Sequence, residues 1–224
     1  MRNFLSLAAA VLFGVSIALP ALADERLQGT AKIFDGDTIE IDGHRIRLHG
    51  IDAPETDQKC FDAREKYYAC GKQAVDALRK LIRGQPVTCT GSLRDGYDRL
   101  IATCATSRLN LNREMVVRGW AVAFRKYSED YLEHEVDAVK QGLGIWRGQF
   151  QRPYLHRAKR WQVEKQLSPG GCPIKGNINT KGIKIYHAPW SQYYSRTKIS
   201  LDKGERWFCS ELDAIKNGWR APYR

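Results

Sequence analysis

The chain has 224 residues, 43% hydrophobic and 27% charged, with a formal net charge of +11. A chain of this size buries one good core and a small second one, which excludes a coreless peptide. The basic excess points away from cationic partners and towards a polyanion: nucleic acid first, because neutralised phosphates release counterions, with acidic polysaccharide or a membrane surface also satisfying the charge.

Residues 1–23 read as a signal peptide rather than as part of the fold. Met1-Arg2-Asn3 is a short positive start, Phe4 to Leu19 an apolar run, and Ala21-Leu22-Ala23 a small-x-small cleavage site. The apolar run is too short for a membrane span. Cleavage after Ala23 is expected to leave a periplasmic or secreted chain starting at Asp24, with no transmembrane segment; the loss of Arg2 takes the charge from +11 to +10.

From Leu27 to Phe34 a strand is expected, with Gly29 as a bulge or bend. Asp42-Gly43 marks a two-residue hairpin turn, because both central residues of a type I′ turn need positive φ. Such a turn sets Ile41 opposite His44, Glu40 opposite Arg45, Ile39 opposite Ile46 and Thr38 opposite Arg47. Ile39 and Ile46 then share the buried face, and Glu40 and Arg45 form an opposite-charge pair. The chain turns at Gly50 and brings Asp52 and Glu55 back towards Asp35, Asp37 and Arg47, with Pro54 stiffening the return. Thr56 to Cys70 is charged and aperiodic, a surface loop. Ala74, Val75, Leu78, Leu81 and Ile82 have helical spacing, stopped by Arg83-Gly84.

Pro86 to Thr90 and Leu100 to Ala105 are strand runs joined by the loop Gly91 to Asp98, which leaves Arg99 where the loop re-enters the core. Arg113 to Arg118 is a short helix with Gly119 past its end. Trp120 to Phe124 is a buried strand, and Ser128 caps a helix from about Glu129 to Gln141 with Leu132, Val136 and Val139 on one face. Ile145 and Trp146 plug the core. Tyr154 to Gln166 is a basic helix, ended by the linker Ser168-Pro169-Gly170-Gly171. Beyond it, Gly182 to Tyr186 and Thr197 to Leu201 are strand-like, Trp207-Phe208-Cys209 follows, and Glu211 to Gly218 is a last helix.

Six cysteines in an oxidising compartment imply disulfides, and six allow 15 pairings that sequence alone does not choose among. Proximity favours Cys60–Cys70, Cys89–Cys104 and Cys172–Cys209, the second because pairing its two strand runs brings those residues together. A metal set of His187 with Cys172 and Cys209 is the alternative for the C-terminal part.

Carboxylates beside an arginine suit phosphoryl-ester chemistry: hard cations take oxygen ligands, and a guanidinium fork matches phosphate oxygens. Asp35-Gly36-Asp37-Thr38, Arg47, Asp52-Ala53-Pro54-Glu55-Thr56 and Asp95-Gly96-Tyr97-Asp98-Arg99 together resemble, in order and spacing, the thermonuclease (staphylococcal-nuclease-like) family. The resemblance covers roughly Leu27 to Trp146 and implies an α+β fold built on a five-stranded OB-fold barrel. Residues 24–150 would form that domain, 151–171 a basic helix and linker, and 172–224 a small disulfide-stapled module of unknown ligand.

The resemblance implies a calcium site made by Asp37, Asp52 and the main-chain carbonyl of Ala53, with Asp35 ordering the loop. It makes Arg47 and Arg99 the phosphate clamp, Glu55 the group that positions or deprotonates water, and Tyr97 and Tyr127 substrate contacts, although Arg125 stands where an aromatic residue is common. The implied activity is endonucleolytic hydrolysis of DNA and RNA by a monomer, leaving 3′-phosphates. Competing readings are a non-catalytic OB module binding nucleic acid or acidic polysaccharide, and an envelope-assembly protein dominated by its C-terminal module.

Overall fold

A computed structural model describes residues 24–222, so the expected signal peptide lies outside the described residues. The fold is mixed α+β. Strands β1 (Glu25–Gly29) and β2 (Lys32–Ile33) are two segments of one broken strand, and β3 (Thr38–Ile41) and β4 (His44–Leu48) form the hairpin. Asp42 and Gly43 have φ of 49° and 83°, and all four cross-strand pairs fall in the register that the Asp42-Gly43 turn dictates. Ile39 and Ile46 are fully buried. Glu40 and Arg45 are opposite in register, but their charges go elsewhere. Glu40 pairs with Lys32 at 3.4 Å, while Arg45 stacks on the Phe34 ring and donates to the Tyr186 hydroxyl.

After β5 (Ile51–Asp52), the stretch expected as a bare loop contains a small ribbon, β6 (Cys60–Phe61) with β7 (Tyr67–Tyr68). Then come α1 (Cys70–Ile82), β8 (Val87–Arg94), β9 (Leu100–Ala105), α2 (Leu111–Val117), β10 (Val122–Ala123), α3 (Leu132–Lys140) and α4 (Pro153–Leu167). The main sheet runs β1-β8-β9-β4-β3-β2, with β4 and β9 parallel. Its two edges are the halves of one broken strand, so the sheet curls on itself as an OB-like half-barrel. The run from Trp120 to Phe124 gives only the two-residue β10, paired with β5.

The core lies between this curled sheet and the inner faces of α1 and α2, with Leu78, Leu100, Leu111 and Met115 fully enclosed. Helix α3 presents a different face from the expected one. Val136 and Val139 are exposed, while Glu135 and Ala138 are buried. The Glu135 carboxylate is drawn inward by Arg152 at 3.2 Å. The helix starts at Leu132 instead of beside Ser128, whose hydroxyl accepts from the Asp130 N–H. Ile145 is buried over the Cys60–Cys70 disulfide, with Trp146 packed beside it.

The C-terminal part has its own small core of Ile174, Tyr186, Phe208, Ala214 and Trp219. It is a three-stranded sheet, β12-β11-β13, made of β11 (Ile174–Ile178), β12 (Lys184–His187) and β13 (Arg206–Phe208), followed by α5 (Glu211–Lys216). Thr197 to Leu201 is not a strand. All three disulfides join the neighbouring pairs favoured by proximity, Cys60–Cys70, Cys89–Cys104 and Cys172–Cys209. The last of these removes both thiolates from any metal set with His187, whose Nε2 is hydrogen-bonded to Asn177 Oδ1 instead. No helix of the described residues is long and apolar enough to cross a membrane.

Candidate active site

The loop before the hairpin is drawn tight by the Asp35 carboxylate, which accepts from the Asp37 N–H at 3.0 Å. Asp37 leaves that loop buried: its Oδ1 accepts from Thr38 Oγ1 and Arg47 Nη1, and its Oδ2 from the Ala53 N–H at 2.9 Å. Arg47 reaches it because the register sets Arg47 opposite Thr38. Its second nitrogen, Nη2, donates to Asp52 Oδ1 at 3.2 Å. Asp52 is fully enclosed on β5, held there by pairing with Val122. Glu55 follows on a turn closed by the Gln58 N–H to its carbonyl, and Gly71 at the start of α1 packs directly on that backbone.

A further residue enters from α4. Arg157 Nη1 donates to Glu55 Oε1 at 2.7 Å and lies 2.9 Å from Asp52 Oδ1. Three acids thus share two half-buried arginine side chains. Burial raises the pKa of Asp37, but Arg47, the Ala53 N–H and Arg157 outweigh it and hold the group below its ordinary value. Burial prevails at Asp52, whose pKa is raised despite Arg157. Burial likewise pushes Glu55 up to about 8, with Arg157 opposing and Asp35 and Asp37 adding to the rise. Burial favours the neutral form of Arg157, yet Glu55 and Asp52 keep it charged.

Arg99 is held by its own loop. Asp95 Oδ1 accepts the main-chain N–H of Tyr97 and Arg99, and Asp95 Oδ2 takes Arg99 Nε at 2.7 Å. The Arg99 guanidinium lies over the Tyr97 ring. A cavity of about 1020 Å³ is lined by Arg47, Glu55, Arg99 and Arg157 together, with Tyr97 and Tyr127 on its walls. Asp37 and Asp52 sit behind Arg47. The residues singled out from the sequence therefore converge on one cavity and the acid pair at its back. Tyr127 is 59% exposed and packs edge-on against Phe124, while Arg125 turns away towards Glu135.

The C-terminal part supplies the opposite wall: Trp161 of α4 with Tyr186, Trp190 and Glu211. Neither that wall nor Arg157 was among the residues drawn from the sequence. Arg157 stands 102 positions from Glu55, and in the sequence it is one of several cations on a basic helix.

The donors suit a hard cation in kind. Among the described residues no hydrogen-bond donor reaches Asp52 Oδ2, which is buried, and Arg47 ties Asp37 and Asp52 together, so two carboxylates stand side by side as hard oxygen donors. Among the described residues no three His, Cys, Asp or Glu side chains form a cage, so a cation here would rest on two carboxylates, a carbonyl and water.

Comparison with known proteins agrees with this geometry. Residues 45–148 match the family model described as staphylococcal nuclease homologue. Asp37 lies just before that match and Arg157 just after it. A protein of Rhizobium meliloti called succinoglycan biosynthesis protein ExoI is 37% identical over 143 residues, covering 62% of this chain and 75% of that protein. An uncharacterized endonuclease of Haemophilus influenzae is 33% identical, covering 51% of this chain and 63% of that protein. A probable staphylococcal-like nuclease of rice, CAN4, is 28% identical over 59% of this chain and 24% of its own length.

Proposed function

Since the chain belongs to the staphylococcal nuclease homologue family, we propose that it is an exported, calcium-dependent endonuclease that hydrolyses the phosphodiester bonds of DNA and RNA and leaves 3′-phosphate ends. The observation that carries this reading is the shared cavity: two arginines, Arg47 and Arg99, and the acid Glu55 face one space, with Asp37 and Asp52 buried at its back.

In this reading the forks of Arg47 and Arg99 hold the non-bridging oxygens of a phosphodiester, and the hold tightens as charge builds on them. Glu55 orients a water against the phosphorus and takes its proton as the new P–O bond forms. The bond to the 5′ oxygen breaks, and that oxygen leaves with the electron pair. Tyr97 and Tyr127 pack against the sugar and base, which read no sequence because every base offers a face. Asp37, Asp52 and the Ala53 carbonyl would hold calcium, which supplies Lewis-acid neutralisation of the phosphate when bound.

The test is cleavage of DNA and of RNA by the purified protein with calcium and then with chelator. Activity abolished by chelator, and lowered by about 10²–10⁴ in Glu55→Gln, is the expected result. Undigested DNA that is nonetheless retarded on a gel would favour a binding module. A role in polysaccharide synthesis is the second reading, favoured by the name of the Rhizobium relative; binding of an acidic polysaccharide with no cleavage of nucleic acid would select it.

A further inference from the structure

Helix α4 lies outside the family match and is docked in an unusual way. Of its 15 residues only Pro153 is buried. Trp161 packs against the small C-terminal core, so the helix belongs to that part of the chain. Towards the barrel its contacts are mostly polar: Arg152 on Glu135, a His156–Asp57 hydrogen bond, Arg160 on Asp57, and Arg157 on Asp52 and Glu55, with the Tyr154 ring stacked on Phe124. An interface held mainly by polar contacts exchanges partners more cheaply than an apolar one, because water and ions can replace each contact.

We propose that Arg157 is a built-in counter-cation of the Asp52–Glu55 pocket, competing there with a divalent cation and thereby coupling occupancy of the acid site to the docking of α4. The geometry is direct. One nitrogen, Nη1, touches carboxylate oxygens of both Asp52 and Glu55, and the side chain is only 20% exposed. Asp52 Oδ1 already serves Arg47 and Arg157, while Asp52 Oδ2 has no donor among the described residues. A divalent ion drawn to those carboxylates meets a fixed positive charge within a few ångströms, in a medium where screening is weak. Either the ion binds weakly, or the arginine withdraws and takes the latch of α4 with it. The cavity wall made by Trp161 would move with the helix, so the cation state of the site would reach that wall of the cleft. This inference rests on the cation reading of the site given above.

The experiment is calorimetric titration of the purified protein with calcium chloride alone, without nucleic acid. Arg157→Gln is expected to bind calcium about tenfold tighter or more than the unaltered protein. Arg157→Lys, which retains a charge, is expected to stay within about threefold of the unaltered protein. Arg160→Gln, one turn along the same helix, loosens a different part of the latch, a 3.7 Å ion pair with Asp57 beside its bond to the Pro189 carbonyl, and is expected to raise the affinity far less than Arg157→Gln. Equal affinities for the unaltered protein and Arg157→Gln overturn the proposal, as does an equal gain in Arg160→Gln, since loosening of the helix would then be the cause. Should Arg157→Gln fail to fold, hydrogen exchange on the unaltered protein decides: calcium must lower the protection of α4 amides, and unchanged protection overturns the proposal. Calcium binding to none of the proteins would overturn the cation reading itself, an outcome distinct from equal binding to both.

Discussion

The Arg47 fork is shared between two buried carboxylates, with one nitrogen on Asp37 and the other on Asp52. A lysine has a single ammonium and cannot span both. Its loss should cost only about 1–2 kcal/mol of stability, because Asp37 keeps Thr38 and Ala53 as donors and Asp52 keeps Arg157. The reaction should suffer more: Arg47→Lys is expected to cleave about 10²–10³-fold more slowly, with a urea midpoint lowered by about 0.5–1 M. A rate within threefold of the unaltered protein would remove Arg47 from the clamp. At this scale the sequence was most legible where chemistry and backbone coincide. The Asp42-Gly43 turn sets a register, and the register alone brings Arg47 to Asp37. It was least legible where a side chain's partner comes from far along the chain. Glu40 and Arg45 are opposed as expected, yet Lys32 and Tyr186 take their charges. Nothing local marks Arg157 off from the other cations of its helix.

Helix α1 bears on the site through its first turn. A Cβ on Gly71 would lie 1.7 Å from the Glu55 carbonyl oxygen, with backbone on both sides of the clash, so no side-chain rotation relieves it. Gly71→Ala is therefore expected to destabilise the fold by about 1–3 kcal/mol and, because the displaced backbone carries Glu55, to lower cleavage beyond what the lost stability explains. Thermal melts and rates measured well below the melting point separate the two effects; an alanine that leaves both unchanged would show that Glu55 is not positioned by this contact. The elements themselves were readable in proportion to how much their own residues decide them. Helix α1 follows its apolar spacing and ends at Arg83, which adopts the left-handed conformation. In α3 two faces compete: Leu132, Val136 and Val139 share a helical spacing, but so do Tyr131, Glu135 and Ala138, and the second set wins because Arg152 meets Glu135 and Tyr131 packs on Gly50. Thr197 to Leu201 has strand composition without a strand partner, whereas Ile174–Ile178 gains two and becomes the centre of its sheet.

Across the whole molecule, two cores meet at one cleft, so the stability of the smaller part bears on the shape of the site. The smaller part carries a titratable weak point. His187 is 6% exposed, its Nε2 is bonded to Asn177 Oδ1, and no donor or acceptor among the described residues reaches its Nδ1. Burial lowers its pKa to about 4 from an ordinary 6.5, and Lys175, opposite it in the sheet register, adds to the fall. Above pH 6.5 the imidazole is neutral in the folded and unfolded chains alike and contributes nothing to pH dependence. Between about 6.5 and 4 the unfolded chain binds the proton that the folded one refuses, so stability falls as pH falls, at most by about 1.4 kcal/mol per unit. Below about 4 both forms are protonated and the loss levels off near 3 kcal/mol. Other groups titrate in the same interval, so the quantity to measure is a difference. Denaturant unfolding of the unaltered protein and of His187→Gln, followed by tryptophan fluorescence from pH 8 to pH 4, should give stability curves that are parallel above pH 6.5 and converge towards acid as the unaltered protein loses stability faster. Curves that stay parallel throughout would show that His187 takes up its proton without opening the small core.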